Sequence, residues 1–582
     1  MYIMNKRIII TFFLAINFVL TINDQGTLIP YILTLQAPFL LFFLLKKKKI
    51  KLVFPKISMV FFLYFFANFI SSVQKPTSFN AILTSFSCWL IFILSYNLNC
   101  SQNLKNKELD FFIKFSFLLT LPYLWFRFKP TLQNFSALAM TRPITGHVHV
   151  SSLLLLSLTA SFLTKRNLAA TWFFICLVLT NSVSSFSSLV ILGPVLIANP
   201  FKFKFLESKK IRKKNAYFWS GGLTVLIIFL LSSYFHPKLL NKLDPMWLQK
   251  ELFGGRQHYW TQAVKGFLVK PLAGWGLDTF GIISTRFSKY SYSLYAHGFY
   301  LQWLAEMGMI GTVLLLISIK KILLNLNLKN KQNQVFFLII LISAIESTFD
   351  YGWQFPSILF LLAFFLGNII KTKNYRQVSY NKFIFLPLAL VILATCQILS
   401  IYFYRQKNYR LSLLFYPFKK EVYIENANKF PNKLINFLFK NDPDFWAEIY
   451  KKRPTTKITL KQISLNPYNP NLYLQIPAQE KGLRRKYFKK YYQLTKNLNF
   501  EKIQKQKKEN MSVLFTEAAI LSFNNHNDQN ALLYVKQIFK TWPWEEQQWQ
   551  KIEINIKDQP EVQDKFHQLT ELEFKKLRSQ NK

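Results

Sequence analysis

The sequence predicts an all-α membrane protein: a multi-spanning helical bundle followed by a helical extracytoplasmic domain. Three observations predict it. The 582-residue chain is 51% hydrophobic with 60 Phe, and its apolar runs are about 15 to 21 residues long, near the ~20 that a bilayer-crossing helix needs. The net charge is +45, but many of the Lys and Arg sit in short clusters between apolar runs, where the positive-inside rule places them. The basic balance therefore reads as topology, with no nucleic-acid partner expected. Finally, the apolar runs stop near residue 404, and the remainder has the helical periodicity of a soluble domain.

About thirteen spans are expected, at 8–22, 27–45, 55–73, 80–97, 111–126, 147–163, 168–182, 184–200, 217–235, 298–318, 335–349, 355–371 and 383–403. The first resembles a signal peptide, but it lacks a small-residue cleavage site and a second span follows at once, so it reads as a retained helix. The stretch 168–200 fits two short helices or one long tilted one. The basic loops 46–51, 201–215, 320–334 and 371–382 are assigned to the cytoplasm. Even numbers of spans separate them, so the N-terminus lies inside and the C-terminus outside the cell membrane. Three sizeable intervals are then extracytoplasmic: 127–146, 236–297 and everything after about 404. The expected domains are 1–403, with its long outer loop, and 404–582. The four Cys (Cys88, Cys100, Cys176 and Cys396) lie in or beside apolar spans, which implies no disulfide framework.

The long loop carries the chemistry. Arg256, Arg286 and Lys289 suit a polyanion at the membrane surface, because a guanidinium binds phosphate oxygens with a planar fork and an ammonium adds a point charge. His297 stands at the mouth of an apolar helix, and an imidazole, whose unperturbed pKa lies near working pH, suits a general base. A lone His or an exposed Arg is also an ordinary surface residue. Glu306 lies inside that helix, where an ionisable group is costly: it is either functional or a structural acid bonded to neighbouring helices. Gly308 and Gly311 would let a neighbouring helix approach closely. Gly254-Gly255 and the run from Pro271 to Gly276 are turn material. His147 and His149 are two imidazoles without a carboxylate or Cys partner, which reads as a polar helix entrance and not as a metal site.

The arrangement is more specific than its parts. Arg256 is followed four residues later by Trp260, then by Pro271-Leu272-x-Gly274-x-Gly276-x-x-x-Phe280, then by His297-x-x-Tyr300-Leu301-Gln302-x-Leu304-x-Glu306-x-Gly308-x-x-Gly311. This pattern strongly resembles the O-antigen ligase/polymerase superfamily, which holds lipopolysaccharide O-antigen ligases, O-antigen polymerases and bacterial protein O-oligosaccharyltransferases. The resemblance covers about 130–371 and is strongest over 254–311. It implies a GT-C type, metal-independent, inverting glycosyltransferase with no cofactor. The implied donor is a glycan on undecaprenyl pyrophosphate, and the implied acceptor is a lipid, protein or glycan. By the same resemblance the arginines hold the pyrophosphate and His297 activates the acceptor hydroxyl, with Trp260, Tyr300 and Glu306 in support. The segment Arg142-Pro143-Ile144-Thr145-Gly146 looks like the Arg-x-x-x-Gly that opens a span in this family, so Arg142 is a further candidate cation. There are two departures. The region where relatives carry a Ser-Arg-Gly-like segment reads Thr180-Asn181-Ser182-Val183-Ser184-Ser185-Phe186 here, without Arg. Arg142 or Arg286 then substitutes, or donor binding differs. Gly298 follows the His where Asn is frequent.

Nucleotide-sugar chemistry is not indicated. There is no Walker-type loop and no Asp-x-Asp in a cytoplasmic loop. Asp442-Pro443-Asp444 reads as a turn before a helix, and Asp24 in the first outer loop reads as a surface residue. In the C-terminal domain, helices are expected at 445–452, 481–497, 511–523 and 529–540. Turn signals at 466–470, 524–528 and 542–544 separate them. Paired antiparallel helices of the tetratricopeptide kind are expected, although no clean repeat period is visible. This domain docks the acceptor or a partner protein, or it is a solvated basic domain that rests on anionic lipid. The leading function is a glycan ligase. Its rivals are a polymerase that joins repeat units, a transporter and a non-catalytic assembly scaffold.

Overall fold

The computed structural model describes residues 49–98, 102–128, 147–180, several positions between 182 and 192, 255–290, 292–350, 352–379, 385–427, 429–503, 505–541 and 546–580. The spans expected at 8–22, 27–45 and 217–235, most of 184–200, and Arg142 lie outside the described residues. The chain divides into two compact units, one of residues 1–280 and 295–422, the other of 281–294 and 423–582.

The first unit is a helical bundle closed at one end by a small sheet. Strand β1 (Lys49–Val53) pairs antiparallel with β2 (Tyr375–Ser379), with Lys49 opposite Ser379. A further bridge joins Leu326 to Ile370. The Lys105 amine donates to Asn333 Oδ1 at 2.7 Å and to the Asn368 carbonyl at 2.8 Å. Segments from the basic loops 46–51, 320–334 and 371–382 therefore gather at one end of the bundle.

Helices follow where apolar runs allow continuous backbone pairing, which is the condition for crossing hydrocarbon. They are α1 (Pro55–Ser71), α2 (Lys75–Leu98), α3 (Gln102–Phe128), α4 (His147–Leu163) and α5 (Asn167–Thr180). After α6 (Gly255–Val269) and α7 (Phe280–Phe287) come α8 (Phe299–Leu324), α9 (Lys331–Phe349), α10 (Pro356–Ile369) and α11 (Phe385–Arg405). Pro stands in the first turn of α1 and of α10, where its missing N–H costs nothing. Every described segment expected as a span from 55 onward, outside 184–200, contains one of these helices. Among the described residues, three helices are long and apolar enough to cross a membrane: Lys75–Asn97, Phe299–Leu324 and Lys331–Phe349. Others, such as α1 and α5, are apolar but shorter. Ser182 lies outside any helix while Ser184 and Ser185 are helical.

The bundle core is aromatic and aliphatic. Phe336 stacks on Phe365 at 4.6 Å, and Phe112 meets Phe365 edge-on at 5.7 Å. Helix α8 is different, because only 17% of its most apolar window is buried within the protein. It exposes Met309, Ile310, Val313, Leu316 and Ile317, a surface that suits hydrocarbon better than water.

The second unit is an array of short helices. They include α12 (Pro443–Lys452), α13 (Thr456–Leu465), α14 (Pro470–Leu474), α15 (Lys481–Thr495), α16 (Lys505–Phe523) and α17 (Asp528–Thr541). The array ends with α18 (Glu546–Ile556) and α19 (Pro560–Gln580). Asp442 caps α12, its carboxylate accepting from Phe445 N at 2.9 Å, so the Asp-Pro-Asp segment is a helix start as expected. Asn469 caps α14 in the same way, accepting from Asn471 N at 3.1 Å. Tyr473, Tyr491, Phe515 and Tyr534 form a chain of rings in its core.

Candidate active site

Two devices build the site: a broken helix and a loop that fills the break. Helix α8 is kinked at Gly308, where φ is 64° and ψ is −169°. A kink strands backbone groups, and at membrane depth these must find partners. The turn after α6 supplies them. Trp275 N and Gly276 N donate to the Ala305 and Glu306 carbonyls at 3.2 and 2.9 Å, and Met309 N and Ile310 N donate to the Pro271 and Leu272 carbonyls at 2.8 and 3.3 Å. The approach is close enough to require glycine. A Cβ on Gly274 would lie 2.2 Å from the Glu306 carbonyl oxygen, and one on Gly308 would lie 2.3 Å from that of Leu272. The expectation that Gly308 admits a neighbouring helix is therefore corrected: a loop fills that space. Gly311 does meet a helix, since its Cβ would lie 2.9 Å from the Tyr64 ring of α1. Tyr64 also donates to the Met307 carbonyl, and Asn68 to the Ala273 carbonyl at 2.8 Å.

Glu306 completes this clamp. Its carboxylate accepts from Asp278 N at 2.8 Å, Phe280 N at 2.9 Å and Gln302 Nε2 at 2.9 Å. Gln302 in turn accepts from Ala296 N at 3.1 Å. Of the two readings of Glu306, the geometry matches a structural acid, although its partners are a loop and its own helix. Its hydrogen bonds run to the residue before His297. Burial raises the pKa of the neighbouring Asp278 carboxyl above its ordinary value.

His297 has a φ of 50°, an uncommon conformation for a side chain that bears a Cβ. Three contacts hold it there. Trp260 Nε1 donates to its carbonyl at 3.0 Å, the Tyr259 ring stacks on its imidazole at 5.4 Å, and Gln302 fixes the preceding amide. A Cβ on Gly298 would lie 2.9 Å from Trp260 Nε1, so this glycine lets the indole approach the backbone.

The imidazole faces Asp350. His297 Nδ1 lies 3.3 Å from Asp350 Oδ1, and Arg256 Nη2 lies 3.7 Å from Asp350 Oδ2. Ser184 donates to Oδ2 at 2.8 Å. Nearby, Ser185 donates to Glu346 at 2.8 Å. The Asp350 side chain is 4% exposed. Burial alone would raise its pKa, but His297, Arg256 and Ser184 more than offset this and hold it below the ordinary value. A carboxylate beside Nδ1 favours the tautomer with its proton on that nitrogen, which leaves Nε2 as the basic one. A guanidinium has five donors in a fork, so it can meet a carboxylate on one edge and a phosphate oxygen on another. The cluster thus brings an imidazole, a buried carboxylate and a guanidinium together.

Of the expected residues, Arg256, Trp260 and His297 come together. Tyr300 is anchored elsewhere, its hydroxyl donating to the Ala344 carbonyl at 3.1 Å. Arg286 and Lys289 belong to the second unit. The serine-rich segment that lacks the family arginine supplies hydroxyl donors to two acids instead. Asp350 was not expected. Its signal was an acid placed immediately after a span, at the same end as His297. An apolar cavity of about 450 Å³ lies between α1, α2, α8 and α10. It reaches Phe299 and Trp353, whose rings meet at 4.9 Å close in sequence to His297 and Asp350.

The sequence profile of the O-Antigen ligase family matches residues 168–316. The chain carries an O-antigen ligase domain. The match supports the resemblance to the O-antigen ligase/polymerase superfamily, whose members are glycosyltransferase-like enzymes. Arg256, Trp260, His297 and the break at Gly308 all lie inside the matched segment, and Asp350 lies beyond it. No curated protein and no solved structure matches the chain.

Proposed function

We propose that the protein is a ligase that transfers a glycan from undecaprenyl pyrophosphate to a surface acceptor, outside the cytoplasmic membrane. The observation that carries this reading is the Arg256–Asp350–His297 cluster at the head of an O-antigen ligase domain's broken helix. His297 Nε2 takes the proton of the acceptor hydroxyl as that oxygen attacks the anomeric carbon. The bond from this carbon to the pyrophosphate oxygen breaks, and undecaprenyl pyrophosphate leaves with the electron pair. A single displacement inverts the carbon. Arg256 faces the charge that grows on the leaving oxygen, a task the reading gives to the guanidinium and to no metal. The apolar cavity accommodates part of the isoprenoid chain. Arg142 is kept as a further candidate cation.

The same reading assigns the basic end of the bundle to the cytoplasm. His297 precedes α8 and Asp350 follows α9, while the basic loop 320–334 joins the other ends of these helices. The cluster and the second unit are then extracytoplasmic. A polymerase would use the same groups, and the appended unit favours an acceptor other than the growing glycan.

The test is surface-glycan display in cells lacking the gene, complemented with wild type, His297→Ala or Arg256→Ala at matched membrane levels. Wild type is expected to restore transfer while both variants fail and lipid-linked donor accumulates. The acceptor left unmodified separates ligase from polymerase. Equal activity of both variants would remove the catalytic assignment.

A further inference from the structure

The second unit contains a polar cleft of about 500 Å³, within the roughly 300–1,000 Å³ usual for small-molecule sites. Its chemistry is unlike the cluster at His297. Tyr290 and Tyr292 stand on the segment 281–294, and Asn466, Asn469 and Asn471 lie around the start of α14. Asn510 and Gln506 come from α16. Each amide presents two donors and an acceptor with two lone pairs. Tyr292 is 53% exposed and offers ring surface, whereas Tyr290 is anchored, its hydroxyl accepting from Asn499 N at 3.2 Å.

The lining holds one cation, Lys507, and no acid. The Lys507 amine donates to the Lys289 carbonyl at 2.9 Å, so it serves to pin the 281–294 segment onto α16. A phosphate or carboxylate site would need charge turned toward the ligand. Amides and hydroxyls beside aromatic surface suit a different class: rings that carry hydroxyls on their edges and C–H groups on their faces.

We propose that this cleft binds uncharged sugar residues of an oligosaccharide. Under the transferase reading, on which the choice of sugar source rests, these belong either to the donor glycan or to a glycan on the acceptor. The cleft thereby contributes to selecting the glycan chain. Tyr292 supplies the stacking surface and Asn510 a paired donor and acceptor.

The test uses the full chain in lipid nanodiscs and calorimetric titration. The probes are the free oligosaccharide released from the lipid-linked donor by mild acid, the oligosaccharide cleaved from the unmodified acceptor, and inorganic pyrophosphate. Wild type and His297→Ala are expected to bind one oligosaccharide equally. Tyr292→Ala and Asn510→Leu should weaken that binding about tenfold or more, with unchanged thermal unfolding, while Tyr292→Phe retains it. Whichever oligosaccharide binds identifies the source. The proposal is overturned if neither binds, if the cleft variants bind like wild type, or if pyrophosphate competes for the cleft. Binding is read without turnover, so loss of the transferase reading leaves this result standing, and the reverse also holds.

Discussion

His297 Nδ1 and Asp350 Oδ1 lie 3.3 Å apart, although two membrane helices separate them in sequence. The pair joins the residue just before the N-cap of α8 to the residue that caps the end of α9. It places a carboxylate beside the imidazole nitrogen, and Arg256 on the other carboxylate oxygen supplies the cation that a buried acid needs.

Asp350→Asn is expected to lower glycan transfer by about 10² to 10⁴, with the protein still present in the membrane. The amide keeps the shape but loses the charge that holds Nδ1–H and supports an imidazolium. KM for the lipid-linked donor should change little beside kcat. Transfer by purified Asp350→Asn at the wild-type rate would remove Asp350 from the mechanism.

Tyr300→Phe is expected to leave transfer within about twofold of wild type. Its hydroxyl bonds the Ala344 carbonyl of α9 and is outside the Asp350 cluster. A net hydrogen bond is worth about 0.5–1.5 kcal/mol, a cost that falls on packing of α8 against α9. A large loss of kcat with unchanged thermal stability would restore Tyr300 to a direct role.

Much of this architecture was legible because hydropathy reports on the solvent of each segment. The runs at 55–73, 80–97, 147–163 and 335–349 became helices over nearly those bounds, since an unpaired backbone in hydrocarbon has no alternative. His297, Arg256 and Trp260 were legible through spacing. Asp350 was not, because its partner lies far away in sequence and an acid after a span looks like any loop residue. The Gly308 break was also hidden. The glycine was visible, but that Pro271–Gly276 would fill the gap depends on tertiary contact. The serines at 182–185 read as an absence of arginine, whereas Ser184 and Ser185 serve as donors to Asp350 and Glu346.

Gly308→Ala and Gly274→Ala are each expected to lower the yield of folded protein sharply. Both positions have positive φ, and both new methyl groups would meet backbone atoms that cannot move aside. The loss should be about 3 kcal/mol or more, as for other severe core clashes. Gly482→Ala is the contrasting control. Nothing lies within 4 Å of its Cβ position and it sits in α15, so the change should stabilise the second unit by about 0.5–1 kcal/mol. Thermal unfolding of the three variants checks the contrast, and equal behaviour of Gly308→Ala and Gly482→Ala would refute the packing argument.

The stability of the second unit is expected to rise as pH increases from about 8. Burial lowers the Lys507 pKa to about 8 in the folded protein, while an unfolded lysine titrates near ~10.4. Between these values the unfolded chain binds more protons than the folded one, so stability must increase with pH. Below about 8 both states carry the proton, and the cost of burying the charge is fully present. The neutral amine can still donate to the Lys289 carbonyl, so the segment 281–294 remains pinned at the upper end of the window. Hydrogen exchange of α16 in the intact protein, corrected for intrinsic rates, should show its opening free energy rising over this range. In Lys507→Met the profile should be flat. A rise of the same size in the methionine variant would assign the effect to another group and show that Lys507 is not buried at a cost.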